Sequence, residues 1–189
     1  MLRVMQLAYW AAFHLPARLF LRARVEVFDG DLRPPLLLAA NHPSRLDPLL
    51  LVVLPWRVVR RLAPLRFPTG AYFDHQPALW RVLRLAGAYR LPRIAWSIEE
   101  FMAETEACLR RGESVLLFPE GRVTSARSAG KPGIGFLARR FDGEIISIRI
   151  DRTPSLRIRL GAPISAGDPL RARETDEAIA EEILDRVYE

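Results

Sequence analysis

Apolar residues in this chain fall into short runs that alternate with stretches of helical period. Val25–Phe28 and Leu36–Ala40 read as strands, with Asp29-Gly30 and Pro34-Pro35 supplying the turn chemistry between them. Trp80–Leu85 predicts a helix that ends at Gly87, and Ala88–Leu91 a following strand. Ile98, Phe101, Met102, Thr105, Cys108 and Leu109 share one helical face, opposite Glu99, Glu100, Glu104, Glu106 and Arg110. Gly112 stops that helix, and Ser114–Phe118 reads as a buried strand. Pro132–Phe141 predicts another helix, then Ile145–Ile150 and Leu156–Leu160 two more strands. A last helix takes Thr175 as its N-cap and buries Ile179, Ala180, Ile183, Leu184, Val187 and Tyr188. With no repeat, low-complexity tract or linker, this alternation predicts a single α/β domain over 24–189, a largely parallel central sheet flanked by helices.

Residues 1–23 are apolar but interrupted by Arg3, His14, Pro16 and Arg18. No run approaches the ~20 residues that span a bilayer, and no small-residue cleavage site follows a compact apolar stretch. Met5, Leu7, Ala8, Trp10, Ala11 and Phe13 suit a helix lying in the membrane interface, with Trp10 and Tyr9 at headgroup depth and Arg18, Arg22 and Arg24 beyond. The alternative is a plain helix docked on the core.

A chain of 189 residues, half of them apolar, buries a full core without staples, which excludes disorder. A single cysteine excludes a disulfide framework and agrees with a reducing compartment; Cys108, on an apolar helix face, reads as core. His14, His42, His75 and that cysteine have no ligand spacing, so no metal is expected. The net charge is +6, and of 28 basic residues only Lys131 is lysine. Arginine forks suit nucleic acid, a phospholipid headgroup or a phosphorylated small molecule, but genomic base composition explains them equally well. Arg57, Arg60, Arg61 and Arg66, interleaved with Trp56, Val58 and Val59, fit an anionic surface or a plain basic strand.

Three segments beyond predicted strands carry chemistry, where α/β sheets place their sites. In Asn41-His42-Pro43-Ser44-Arg45-Leu46-Asp47, Pro43 keeps His42 extended at the strand end. A turn near Arg45–Asp47 then returns the carboxylate to the ring, fixing its tautomer and leaving the other nitrogen as a general base. A surface histidine with Asp47 as a helix cap is the bland alternative. Phe118-Pro119-Glu120-Gly121-Arg122 follows directly; roughly 0.003 occurrences of its first four residues are expected by chance. Pro119 ends the strand, Gly121 allows close backbone approach and Arg122 offers a phosphate fork; the alternative is a structural turn whose Glu120 and Arg122 charges are solvated. Gly87 through Arg93 either brings Arg90 or Arg93, at a strand end, over the same pocket or is an ordinary basic loop. Gly133-Ile134-Gly135-Phe136-Leu137-Ala138 mimics a dinucleotide loop, but no strand precedes it, and Lys131 lacks a phosphate-loop context.

In this order and at these separations the segments resemble the phospholipid/glycerol acyltransferase family, which includes 1-acylglycerol-3-phosphate acyltransferases, from about Val25 to Ile164. His42 and Asp47 match its His-x4-Asp catalytic pair, Gly87–Arg93 its second block, and Phe118, Pro119, Glu120 and Gly121 its third. Arg122-Val123-Thr124 stands where the commoner third block continues Thr-Arg-Ser, and is similar to the branch containing 2-acylglycerophosphoethanolamine acyltransferases. Arg90, Leu91 and Pro92 replace the usual apolar and acidic residues of the second block, and Glu144–Ile148 lacks the prolines of a fourth.

The resemblance implies a glycerol-3-phosphate acyltransferase-like fold and direct acyl transfer from a thioester, acyl-CoA or acyl carrier protein, to a hydroxyl, with no cofactor beyond that thioester co-substrate. His42 would be the base and Asp47 its partner. Arg93 and Arg122, with Phe118, Pro119, Glu120 and Gly121, would bind the substrate and position the acceptor's phosphate. The acceptor implied is 1-acylglycerol-3-phosphate or a lysophospholipid, at the cytoplasmic side of the cell membrane, with an anionic membrane surface as partner and no nucleic acid. Another hydroxyl lipid such as a lyso-ornithine lipid, or a basic lipid- or nucleic-acid-binding domain without catalysis, are the alternatives.

Overall fold

Strand β2 (Leu36–Ala40) is buried at every position. Leu36, Leu38 and Ala40 enter the apolar cluster on one side of the sheet, Leu37 and Ala39 the cluster on the other. That is the period-two pattern of a strand covered on both faces. The computed structural model from which this follows describes residues 1–70, 75–90 and 98–189. Strand β2 pairs in parallel with β5 (Ser114–Leu117) on one side and β6 (Glu144–Asp151) on the other. Beyond β5 lie β3 (Leu65–Thr69) and β4 (Ala88–Arg90); beyond β6 lie β7 (Arg157–Leu160) and β1 (Arg24–Val27). The order is β1-β7-β6-β2-β5-β3-β4, and only β6 and β7 run antiparallel. The chain is therefore the single α/β domain with a largely parallel sheet that the pattern predicts.

One face is covered by α1 (Leu2–Phe20), a 3-10 segment (Asp47–Val53), α2 (Trp56–Leu62) and α3 (Pro77–Ala86). The other is covered by α4 (Ile98–Arg110), α5 (Pro132–Arg140) and α6 (Asp176–Tyr188). Helix α6 starts as its sequence predicts, with Thr175 Oγ1 accepting the N–H of Ala178 at 3.1 Å. Cys108 is buried in the core of the second face. The Gly133/Gly135 pattern belongs to helix packing: a Cβ on Gly135 would strike the Asp176 carbonyl at the start of α6.

Two segments correct the sequence reading. Trp56–Leu62 is a helix, not a basic surface strand: Val58 and Leu62, four apart, are buried while Arg57, Arg60 and Arg61 stay exposed. Strand β3 has a weak signal because Arg66 and Pro68 break its apolar run; its ladder to β5 stops at Arg66, before the proline.

The N-terminal helix docks one face on the domain. Gln6 is buried, donating to the Leu65 and Ala86 carbonyls at 2.7 and 2.9 Å and accepting the Leu65 N–H at 2.9 Å. Trp10 donates to Leu54 O and His14 Nδ1 to Val52 O, both at 2.8 Å. Tyr9 packs on the first-face cluster. Trp10 and Tyr9 thus face the domain, not a headgroup layer. The outward stripe is Val4, Ala8, Ala11, Leu15 and Leu19. Among the described residues no helix is long and apolar enough to cross a membrane.

Candidate active site

The site forms where adjacent strands β2 and β5 end at the same edge of the sheet. Ala39 is paired with Leu117, so Asn41-His42 and Phe118-Pro119 leave the sheet side by side. Asn41 fixes the first exit: its side chain donates to Ile150 O at 2.9 Å and accepts Ile150 N–H at 2.6 Å, tying the end of β2 to β6. Past Pro43 the backbone folds back into the 3-10 segment that begins at Asp47. His42 Nδ1 donates to Asp47 Oδ2 at 3.1 Å, and Ser44 N–H reaches the same oxygen at 2.6 Å. Asp47 is only 1% exposed. With Nδ1 committed, His42 offers Nε2 as a base.

Phe118 forms the other wall, its ring stacked on the His42 imidazole at 3.8 Å between centroids. The turn after it closes with Gly121 N–H on Phe118 O at 2.9 Å, and Gly121 takes φ +66°, a conformation that favours glycine. Glu120 goes to a different place from the one expected. It is 1% exposed and does not line the cavity. Its Oε2 accepts the His42 backbone N–H at 3.3 Å; its Oε1 accepts Ser128 N–H at 3.0 Å and the Tyr188 hydroxyl at 2.8 Å. Glu120 therefore braces the histidine from behind, set away from the cavity. Burial, then the bond to Glu120, pushes the Tyr188 hydroxyl up to about 12.

His42 opens on a cavity of about 560 Å³ whose walls are mainly apolar: Phe67, Leu83, Phe101, Met102 and Ile134, with Phe118 and Pro119 at the histidine. Arg45, Arg122 and Lys131 line it as well, all three exposed. Among the described residues Arg122 and Lys131 have no ion-pair partner. Of the predicted site residues, then, the structure gathers His42, Asp47, Phe118, Pro119, Gly121 and Arg122, and sets Glu120 behind them. Arg93 lies outside the described residues, and so does Leu91. Arg90 does not reach the cavity; its guanidinium stacks on the Trp80 ring 4.4 Å from the centroid.

A model of the acyltransferase family matches residues 22–151, well over half of the chain. The chain belongs to that family. None of the curated proteins matches it. As a glycerolipid/phospholipid acyltransferase it moves an acyl group to a lipid acceptor. The match covers both blocks that meet at His42, but two residues that contact Asp47 and Glu120 lie past its end. Tyr188, on α6, holds Glu120. Arg152 places Nη2 at 2.7 Å and Nε at 3.2 Å from Asp47 Oδ1. No spacing rule pointed to either, because each is far from its partner in sequence. Lys131 was visible only as the sole lysine; it is the N-cap residue of α5, and its backbone N–H bonds Pro119 O at 2.7 Å.

Proposed function

We propose that this acyltransferase moves an acyl chain from a thioester, acyl-CoA or acyl carrier protein, to the hydroxyl of 1-acylglycerol-3-phosphate or a lysophospholipid at a membrane surface. The observation that supports it most is the His42–Asp47 pair opening on an apolar cavity with a cationic lip. His42 Nε2 takes the acceptor's hydroxyl proton as the oxygen attacks the thioester carbonyl, and Asp47 stabilises the imidazolium. The C–O bond forms, the C–S bond breaks, and the leaving thiolate regains the proton from His42. No acyl-enzyme is required, in keeping with a sequence that has no Gly-x-Ser-x-Gly elbow. The apolar walls suit the acyl chain. Arg122, joined by Lys131 and Arg45 and by the Arg93 of the second block, suits the acceptor's phosphate.

The membrane part of the reading rests on α1, whose outward stripe is apolar from Val4 to Leu19 and edged by Arg18. On this reading the protein is peripheral, and the family resemblance puts it on the cytoplasmic side. The test is thiol release from palmitoyl-CoA with and without 1-acylglycerol-3-phosphate. Acceptor-dependent release that disappears in His42→Ala supports the reading; equal release from His42→Ala overturns the base assignment. Liposome co-sedimentation that survives Leu15→Glu with Leu19→Glu overturns the membrane part.

A further inference from the structure

Arg152 follows β6 where the chain turns toward β7, outside the three sequence blocks and beyond the span matched by the family. Its guanidinium grips one carboxylate oxygen of Asp47, Oδ1, with Nη2 at 2.7 Å and Nε at 3.2 Å. The other oxygen, Oδ2, takes His42 Nδ1 at 3.1 Å and Ser44 N–H at 2.6 Å. The two oxygens are thus divided between two duties. Rotating the carboxylate about its Cβ–Cγ bond would break both sets at once. Asp47 is buried while Arg152 is partly exposed, so the charge that faces the carboxylate arrives from the solvent side.

We propose that Arg152 is a positioning residue of the acyl-transfer site. It fixes the plane of the Asp47 carboxylate so that Oδ2 receives Nδ1–H, which keeps His42 in the tautomer whose Nε2 is the base. The proposal rests on the reading of His42 as base given above. A residue that only tied the loop after β6 to the loop after β2 would act differently. Its loss would lower stability or raise KM, and no small ion would restore activity.

The experiment compares wild type, His42→Ala, Arg152→Ala and Arg152→Lys in acyl transfer from palmitoyl-CoA and in proton NMR. Arg152→Ala lowers kcat about tenfold or more, with both KM values within about twofold of wild type. Millimolar guanidinium restores part of that loss. Arg152→Lys, which keeps the charge but not the fork, falls between the two. In NMR, wild type has a downfield Nδ1–H resonance that is missing from His42→Ala; it is lost in Arg152→Ala and returns with guanidinium. An unchanged kcat, a loss confined to KM, no recovery with guanidinium, or a downfield resonance untouched in Arg152→Ala each overturns the proposal. A wild type without acyl transfer overturns the functional reading instead, and the NMR comparison still decides whether Arg152 holds the pair.

Discussion

The imidazole of His42 and the ring of Phe118 lie face to face, centroids 3.8 Å apart and planes 15° from parallel. One ring leaves the end of β2 and the other the end of β5, so the two sequence blocks with the sharpest chemistry meet in a single contact. Asp47 fixes the imidazole edge-on through Nδ1, and Phe118 fixes it flat.

Phe118→Leu keeps an apolar side chain but removes the flat support. An aromatic pair contributes about 1 kcal/mol beyond its burial, so kcat falls by up to roughly tenfold while folding is retained. Steady-state kinetics with circular dichroism checks this, and full activity would remove the stack from the mechanism.

Asp47→Asn preserves shape but takes away the charge that answers Arg152 and, in the proposed mechanism, stabilises an imidazolium. The expected fall in kcat is up to about 10⁴-fold, the scale seen when the carboxylate of a Ser-His-Asp triad becomes an amide. The same variant unfolds at lower temperature, because Arg152 loses its buried partner.

Gln6→Leu tests the docking of α1. The substitution strands the Leu65 N–H and the Leu65 and Ala86 carbonyls in an apolar setting. A cost of about 3 kcal/mol follows, or a drop in melting temperature of about 6–12 °C. Calorimetry reads it directly, and an unchanged melting point would mean that water replaces the amide.

Tyr188 gives the fold an alkaline limit. Its hydroxyl sits at about 12 in the folded chain against an ordinary value of 10, raised first by burial and then by Glu120. A folded-state value above the unfolded one contributes stability in full below about pH 10 and loses it as pH climbs toward about 12. Wild type should therefore lose melting temperature more steeply than Tyr188→Phe across that window. Parallel curves for the two proteins would contradict this.

Burial pushes the Cys108 thiol above its ordinary value. At pH 8 the folded protein should react negligibly with Ellman's reagent and release one equivalent in urea, since the chain has one cysteine. Fast labelling of the native protein would place Cys108 outside the core.

The central strands were legible because burial on both faces leaves an unbroken apolar run, as in Leu36–Ala40 and Ser114–Leu117. Helix α2 was equally legible in principle, since Val58 and Leu62 are four apart, but its seven residues give too few turns to outweigh the arginines around them. Strand β3 was hidden by Arg66 and Pro68. His42, Asp47 and Phe118 lie on local motifs, and their pairing needed only one turn and one strand register. Arg152 and Tyr188 were invisible for the opposite reason: they reach the site through tertiary packing, from 105 and 68 residues away. The direction of Glu120 was not legible because a motif names a residue without saying which way it points.

The cavity divides into parts with different freedom to change. Asp47, Glu120 and Asn41 are tied to backbone groups and His42 is held by Asp47, so exchanging Asn41, Asp47 or Glu120 disturbs the sheet edge that carries the histidine. Arg45, Arg122, Val123 and Lys131 stand on exposed loops and a helix start at the lip. Their side chains can be traded without reaching the core. On the function proposed above, a lineage or an engineer could therefore retarget such a protein to a new headgroup by rewriting the rim while His42 and Asp47 are inherited intact.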